Sequence, residues 1–391
     1  MVERRRIVDL AIRHQSERGV LITLVRAAGS SYRKPGARML VVGQEFAGTI
    51  SGGCLEAEVV RKAEWTVRGG AAVKQYSTAL DDTSDIPYGL GCGGTVDLLF
   101  EPSGTPEFAA VLSAMQRSLD GLPSDIATIL PEPGKPLQRV VECGGELVFC
   151  SDTRRGTHSD TRSDTRSDGP GDRPSHMPSV LTLEAARAGG MENLFLERMA
   201  APQRLVLFGA GDDAQPLVRM AHLLGWSVTV VDGRRQLARA DRFPEALRVI
   251  ALPAGDVAPI AITPEDAVVL MTHSFEQDLA WLSATLPLAP RYLGVLGARQ
   301  RSGLLVREAS AITDISIPQC CERIHAPVGL DLGGDGPEAI ALAVMAEAQA
   351  CCMGRPASSR RLSSTDVQSH LSRADVSGYT QAGCALGREA A

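Results

Sequence analysis

No uninterrupted apolar run in the chain approaches the 18 or so residues that a membrane-spanning helix needs, so no membrane partner is expected. Positive charge is also short. Lysine occurs at Lys34, Lys62, Lys74 and Lys135 alone, and 46 acidic residues outnumber 40 basic ones for a net charge of -6. That balance argues against a protein that binds nucleic acid by neutralising phosphates over a broad surface. Arginine supplies nearly all the cations, which reads as genome composition, with a bias toward anion recognition as the alternative. The nine cysteines include no CxxC pair and no disulfide-scaffold spacing. Reduced thiols and a cytoplasmic address follow as expectations. The basic opening MVERRRIVDLAI is broken by Asp9 and followed by no small-residue cleavage site, so it reads as the start of a helix rather than a secretory signal.

What remains is ordinary globular composition, with 44% apolar and 22% charged residues. At about 150 residues per domain, two or three domains are expected for 391 residues. Residues 151–179 repeat SDTR three times and hold almost nothing apolar, which predicts a disordered linker. Residues 355–391, rich in Ser, Arg and Gly, read as a mobile tail. Two folded regions are left, 1–150 and 180–354.

The first region mixes elements. A helix is predicted over 4–18 and a strand in GVLITLVRAAG. A hairpin follows in ARMLVV and EFAGTI, then a helix over 55–68 and a strand in TVDLLFE. The second alternates apolar strands (RLVLF, SVTVVD, AVVLMT, RYLGVLG) with stretches of helical spacing. The fold class expected is therefore α/β, with a mixed α+β N-terminal domain and a Rossmann-like parallel-sheet domain after the linker.

The clearest motif opens the second region. A strand ending at Phe208 runs into Gly209-x-Gly211-x-x-Ala214 and a helix, and the next strand ends in Asp232. In a dinucleotide-binding unit the glycines allow the turn and the close approach, the helix end takes the pyrophosphate and the acid takes the ribose. Asp212 and Asp213 oppose an incoming phosphate, so the same residues also fit a helix capped by its own carboxylates in a domain that holds no nucleotide. His273 stands at a strand end, where it could serve as an acid/base or a structural hydrogen-bonding group.

The first region carries a second constellation. Gly29-Ser30-Ser31-Tyr32-Arg33-Lys34-Pro35-Gly36 is a turn with hydroxyls and adjacent cations, with Arg38 close behind. Ser51-Gly52-Gly53-Cys54 delivers a thiol to a helix start, and Gly91-Cys92-Gly93 sets another between glycines. Glycine-rich loops beside cations suit an oxyanion, and a thiol at a helix start suits a soft metal. A buried, inert role is the alternative for each thiol. The pairs Cys320-Cys321 and Cys351-Cys352 lack such surroundings and read as core or incidental.

Together these segments resemble the xanthine dehydrogenase accessory protein family, XdhC/CoxI. GSSYRKPGARMLV, GTISGGCLEAEVV and GLGCGG carry the likeness before the linker. VLFGAGDDAQPL, VTVVDGR, THSFEQDL, YLGVLGAR and ERIHAPVGLDLGG carry it afterwards. The resemblance implies a chaperone that binds molybdenum cofactor, protects it during sulfuration and passes it to an apo-molybdoenzyme of the xanthine dehydrogenase or carbon monoxide dehydrogenase type. It implies Cys54 and Cys92 toward the metal, and Arg33, Lys34 and Arg38 toward the phosphate, with Ser51, Gly52, Gly53, Gly91 and Gly93 as further cofactor-binding residues. A cysteine desulfurase partner and a homodimer stay open. Asp212 departs from the His that family members commonly carry there. Two other readings compete. One is an NAD(P)-dependent oxidoreductase using Gly209, Gly211, Asp232 and His273, and the other is a docking adaptor whose thiols are bystanders.

Overall fold

The computed structural model describes residues 1–29, 31–53, 55–77, 94–133, 135–151, 183, 193–359, 361–365 and 368. The expected linker, Ser151 apart, and most of the expected tail lie outside the described residues. The chain divides into two compact units, one built on Glu3–Ala201 and the other on Pro202–Ser363.

In the first unit, strands β1 (Gly19–Ala28), β2 (Arg38–Val42), β3 (Glu45–Gly48), β4 (Ala72–Ser77) and β5 (Thr95–Pro102) form an antiparallel sheet in the order β3-β2-β1-β5-β4. Its central strand is buried on both faces, which is why its sequence, GVLITLV, is a continuous apolar run rather than an alternation. Val20, Ile22 and Leu24 enter one cluster with Leu55, Val59 and Ala63, and the last two lie on helix α2 (Glu56–Thr66). Leu21 enters the opposite cluster with Ile7, Val8 and Leu10 of helix α1 (Val2–Arg13) and Val111, Ala114 and Met115 of helix α3 (Pro106–Leu119). Helix α3 begins on a Thr105 cap that accepts from Phe108 N at 3.1 Å, with Pro106 as its first residue.

A second sheet, β8-β7-β6-β9, completes this unit from β6 (Ser124–Ile129), β7 (Gln138–Cys143), β8 (Glu146–Cys150) and β9 (Leu194–Met199). Strand β9 pairs with β6 along its whole length, so this unit extends to Ala201 and the expected boundary at 180 falls too early. A buried ion pair ties the two sheets together. Arg139 of β7, 1% exposed, reaches Glu101 of β5 at 2.7 Å and also donates to Thr128 Oγ1 and the Glu107 carbonyl.

The second unit is the expected parallel sheet. Strands β10 (Arg204–Phe208), β11 (Ser227–Asp232), β12 (Arg248–Ala251), β13 (Ala267–Leu270) and β14 (Tyr292–Val295) run in the order β12-β11-β10-β13-β14. Helices α4 (Ala214–Leu223) and α8 (Pro337–Cys352) cover one face. Helices α5 (Phe275–Thr285) and α6 (Arg299–Thr313) cover the other, where Phe208 stacks on Trp281 at 4.2 Å. A short helix α7 (Ile317–Arg323) follows α6. Strand order reverses between β10 and β13, the place where open α/β sheets gather ligands. Among the described residues no helix is long and apolar enough to cross a membrane.

Glu101→Ala would leave the Arg139 guanidinium buried without its counter-charge. The expected cost is about 3–5 kcal/mol, read as a lower urea midpoint for the first unit.

Candidate functional site

The register of the first sheet decides where its loops go. Thr23 pairs with Arg38, Met39 with Gly48, and Thr95 with both Ala28 and Ser77. One end of the sheet therefore holds the exits of β1, β3 and β4 together with the entries of β2 and β5. The three expected site segments are the connections made there. GSSYRKPG joins β1 to β2, SGGC leads from β3 into α2, and the segment bearing GLGCGG leaves β4 at Ser77 and returns at Thr95. Ser30, Cys54, Gly91, Cys92 and Gly93 themselves lie outside the described residues.

Helix α1 and the start of α2 hold the first two of these segments in place. Glu3 of α1 takes both guanidinium nitrogens of Arg33 and a 2.8 Å bond from Thr49 Oγ1, joining the first loop to the exit of β3. Glu56 Oε1 accepts from the backbone N–H of Ile50 at 3.2 Å and of Ser51 at 2.9 Å. The Ser51 hydroxyl donates to Glu56 Oε2 and accepts from Leu55 N at 3.1 Å. Burial pushes the Glu56 carboxyl up, but the bonds from the Ser51 hydroxyl and three backbone N–H groups outweigh it and hold it below the ordinary value. Within the loop Gly53 has φ +105, a conformation other residues rarely adopt, and a side chain at Gly52 would meet the exposed ring of Tyr32.

The three cations expected to draw a phosphate are not equivalent. Arg38 is buried and paired with Glu197 of β9, and Arg33 is committed to Glu3. Lys34 is exposed and makes no ion pair among the described residues. Neither Glu3 nor Glu197 was legible from spacing, because they lie 30 and 159 positions from their partners.

The glycine motif of the second unit also has its groups occupied. Gly209, at φ +119, packs so closely on the backbone just beyond β13 that a Cβ would stand 2.4 Å from the Met271 carbonyl oxygen. Asp232 is fully buried, and its two oxygens accept from Ala210 N, Arg234 N and the Arg234 guanidinium at 2.8–2.9 Å. Burial raises the Asp232 carboxyl, yet the Arg234 and backbone bonds more than offset that and lower it. Asp212 and Asp213 do not cap α4 as expected. Asp212 pairs with Arg242 at 2.7 Å, and Asp213 lies 2.7 Å from His273 Nε2. Pro216, third in the helix, removes one of the free N–H groups a pyrophosphate would use. Exposed His273, at φ +62, forms a dyad with Asp213 at the sheet's switch point. Next to it Asp278, fully buried, ties Thr272 to Arg301.

Residues 12–77 match the profile of the XdhC and CoxI family, and residues 205–348 match the XdhC Rossmann domain. The chain belongs to the XdhC and CoxI family. Among its relatives, a Bacillus subtilis protein described as a probable subunit of xanthine dehydrogenase is 28% identical over 345 residues, 86% of this chain and 94% of that protein. An uncharacterised Escherichia coli protein, YqeB, is 28% identical over 163 residues, 41% of this chain and 29% of its own length. A crystal structure described as a xanthine dehydrogenase from Bacillus halodurans superposes with a TM-score of 0.72 at 26% identity, covering 92% of this chain and 98% of that one. The family match over 12–77 takes in Arg33, Lys34, Arg38 and the SGGC loop, and the Rossmann match takes in Gly209, Gly211, Asp232 and His273.

This geometry makes two substitutions informative. Gly209→Ala combines a disfavoured φ with a backbone clash, for an expected loss of about 2–4 kcal/mol in urea unfolding of the second unit followed by Trp281 fluorescence. Glu56 has a lowered carboxyl, so its stabilisation is present above the unfolded value of about 4.3 and disappears as pH falls through the lower folded value. Glu56→Gln is expected to cost about 1–3 kcal/mol at pH 7 and to flatten the acid-side fall of the urea midpoint below about pH 4.3.

Proposed function

We propose that the protein is a maturation chaperone for a molybdoenzyme of the xanthine dehydrogenase type. It takes up molybdenum cofactor as cargo, shields it while the terminal sulfur is installed, and hands it to the apo-enzyme. Membership of the XdhC and CoxI family, and relatives named for xanthine dehydrogenase, support a role in that enzyme's maturation. The observation that carries the cargo reading is that the strands bounding three glycine-rich segments begin or end at one end of the first sheet.

The cargo offers a phosphate, a polar pterin and a soft, sulfur-ligated metal. Lys34, exposed and unpaired among the described residues, suits the phosphate. Cys54 and Cys92, each in a segment that starts or ends at this edge, suit the metal. Gly52 and Gly53 let the loop backbone approach closely. A cysteine desulfurase is the class of partner that would supply the sulfur, and reduced thiols fit a cytoplasmic setting. We assign the second unit to docking of the client enzyme.

The competing oxidoreductase reading has less support. The acid that would take a ribose is saturated by internal donors, and two carboxylates and a proline sit where a pyrophosphate would dock. Titration with NAD or NADP is expected to show no saturable binding up to millimolar concentration.

The test is anaerobic incubation with released molybdenum cofactor, desalting, and assay of pterin and molybdenum per chain. The unaltered protein is expected to retain close to one equivalent. Cys54→Ala and Cys92→Ala are each expected to lose most of it, and Lys34→Ala to weaken retention several-fold. No retention by the unaltered chain contradicts the reading. Full retention in both cysteine variants, with client maturation intact, favours the docking adaptor.

A further inference from the structure

The first turn of α2 holds a second acid, Glu58, that none of these roles uses. Its neighbour Glu56 spends both oxygens on the SGGC loop, but Glu58 is 2% exposed and neither of its oxygens has a hydrogen-bond partner among the described residues. Lys62 Nζ, one helical turn on and half in solvent, lies 2.5 Å from Oε1 and balances the charge. Oε2 is left with no donor among those residues. A buried carboxylate oxygen without a donor is unfavourable, and native proteins keep such groups where a ligand or a function satisfies them.

The position of this acid matters as much as its isolation. Glu58 stands four residues beyond Cys54, and its charge is felt at the half-buried Tyr76 of β4. Burial first, and the charge of Glu58 second, push the Tyr76 phenol up to about 12. Tyr76 is the penultimate residue of β4, one step before the chain enters the GLGCGG segment. Tyr76 also packs against the cluster that holds Val59 and Ala63 of α2, so the helix that carries Glu58 and the exit of β4 are neighbours.

We propose that Glu58 accepts the amino–imide edge of the cargo's pterin ring. The inference rests on the chaperone reading. A pterin presents its 2-amino group and the adjacent N3–H as two parallel donors, the same fork that a guanidinium offers to a carboxylate. Oε2 is free to take one bond, and Oε1 keeps a lone pair beside Lys62 for the other. Glu58 thus reads the pterin end of the cofactor, away from the metal.

The experiment uses the full chain and two metal-free probes, pterin and lumazine, the latter carrying an oxo group in place of the 2-amino group. Titration is followed by quenching of probe fluorescence. The unaltered protein is expected to prefer pterin by at least tenfold. Glu58→Gln keeps the shape but turns a donor toward the ligand's donors, and is expected to abolish the preference. Lys62→Arg, which keeps a cation beside the carboxylate, is expected to retain it. Circular dichroism checks folding. Should the Gln variant not fold, Glu58→Asp withdraws the carboxylate by one methylene and is expected to cut the preference several-fold. An unchanged preference in the folded Glu58 variant, or no preference in the unaltered chain, overturns the proposal. If Cys54-dependent retention of intact cofactor persists meanwhile, only the role of Glu58 falls. Loss of retention by the unaltered chain overturns the chaperone reading itself.

Discussion

The pairing of β1 on both its edges is the constraint on which the candidate site depends. β1 runs antiparallel to β2 on one side and to β5 on the other, with alternate side chains buried in opposite clusters. A slip of one residue would turn Val20, Ile22 and Leu24 toward α1 and α3 and send Leu21 to the α2 side, so the register is strongly specified. Once it is fixed, chain order leaves no freedom. The exits of β1, β3 and β4 share one end with the entries of β2 and β5, so three segments far apart in sequence are anchored at the same edge.

Charge then divides the labour at that end. Glu3 and Glu197 take Arg33 and Arg38, converting two cations that read as ligand-binding into struts of the scaffold. Glu56 gathers the backbone at Ile50 and Ser51, so the start of the SGGC segment is held by hydrogen bonds rather than left to a flexible glycine run. Lys34 stays exposed, and Glu58 stays buried with an oxygen to spare. The groups left uncommitted by the fold are the ones available to a ligand. In the second unit the reverse holds. Asp232, Asp212 and Asp213 all have internal partners, and the first glycine of the motif is needed for packing on Met271 as much as for any approach by phosphate.

Much of the architecture is legible in the sequence because it is written locally. RLVLF, SVTVVD, AVVLM and YLGV are apolar runs of strand length, and Gly209-x-Gly211 followed by Asp232 marks the first crossover of the parallel sheet. The hairpin of β2 and β3 and helix α2 are equally plain. The misses are non-local or short. β12 is four residues with no fully buried position, and β9 declares its sheet only through pairing with β6. Helix α1 ends at Arg13, five residues before the expected stop at 18. Ion-pair partners separated by 30 or 159 positions leave no pattern to read. Glu58 is hidden by its own sequence, since an acid followed by a lysine at i+4 resembles an ordinary surface pair.

The central claim is that cargo binds at the loop end of the first sheet, not at the glycine motif of the second. Hydrogen exchange with and without molybdenum cofactor, under anaerobic conditions, tests it directly. The account predicts that protection on binding falls on residues 29–37 and 49–58, with residues 209–216 and 271–274 unchanged. Protection confined to the Gly209–Asp213 loop and His273, with the first unit unaffected, would contradict it.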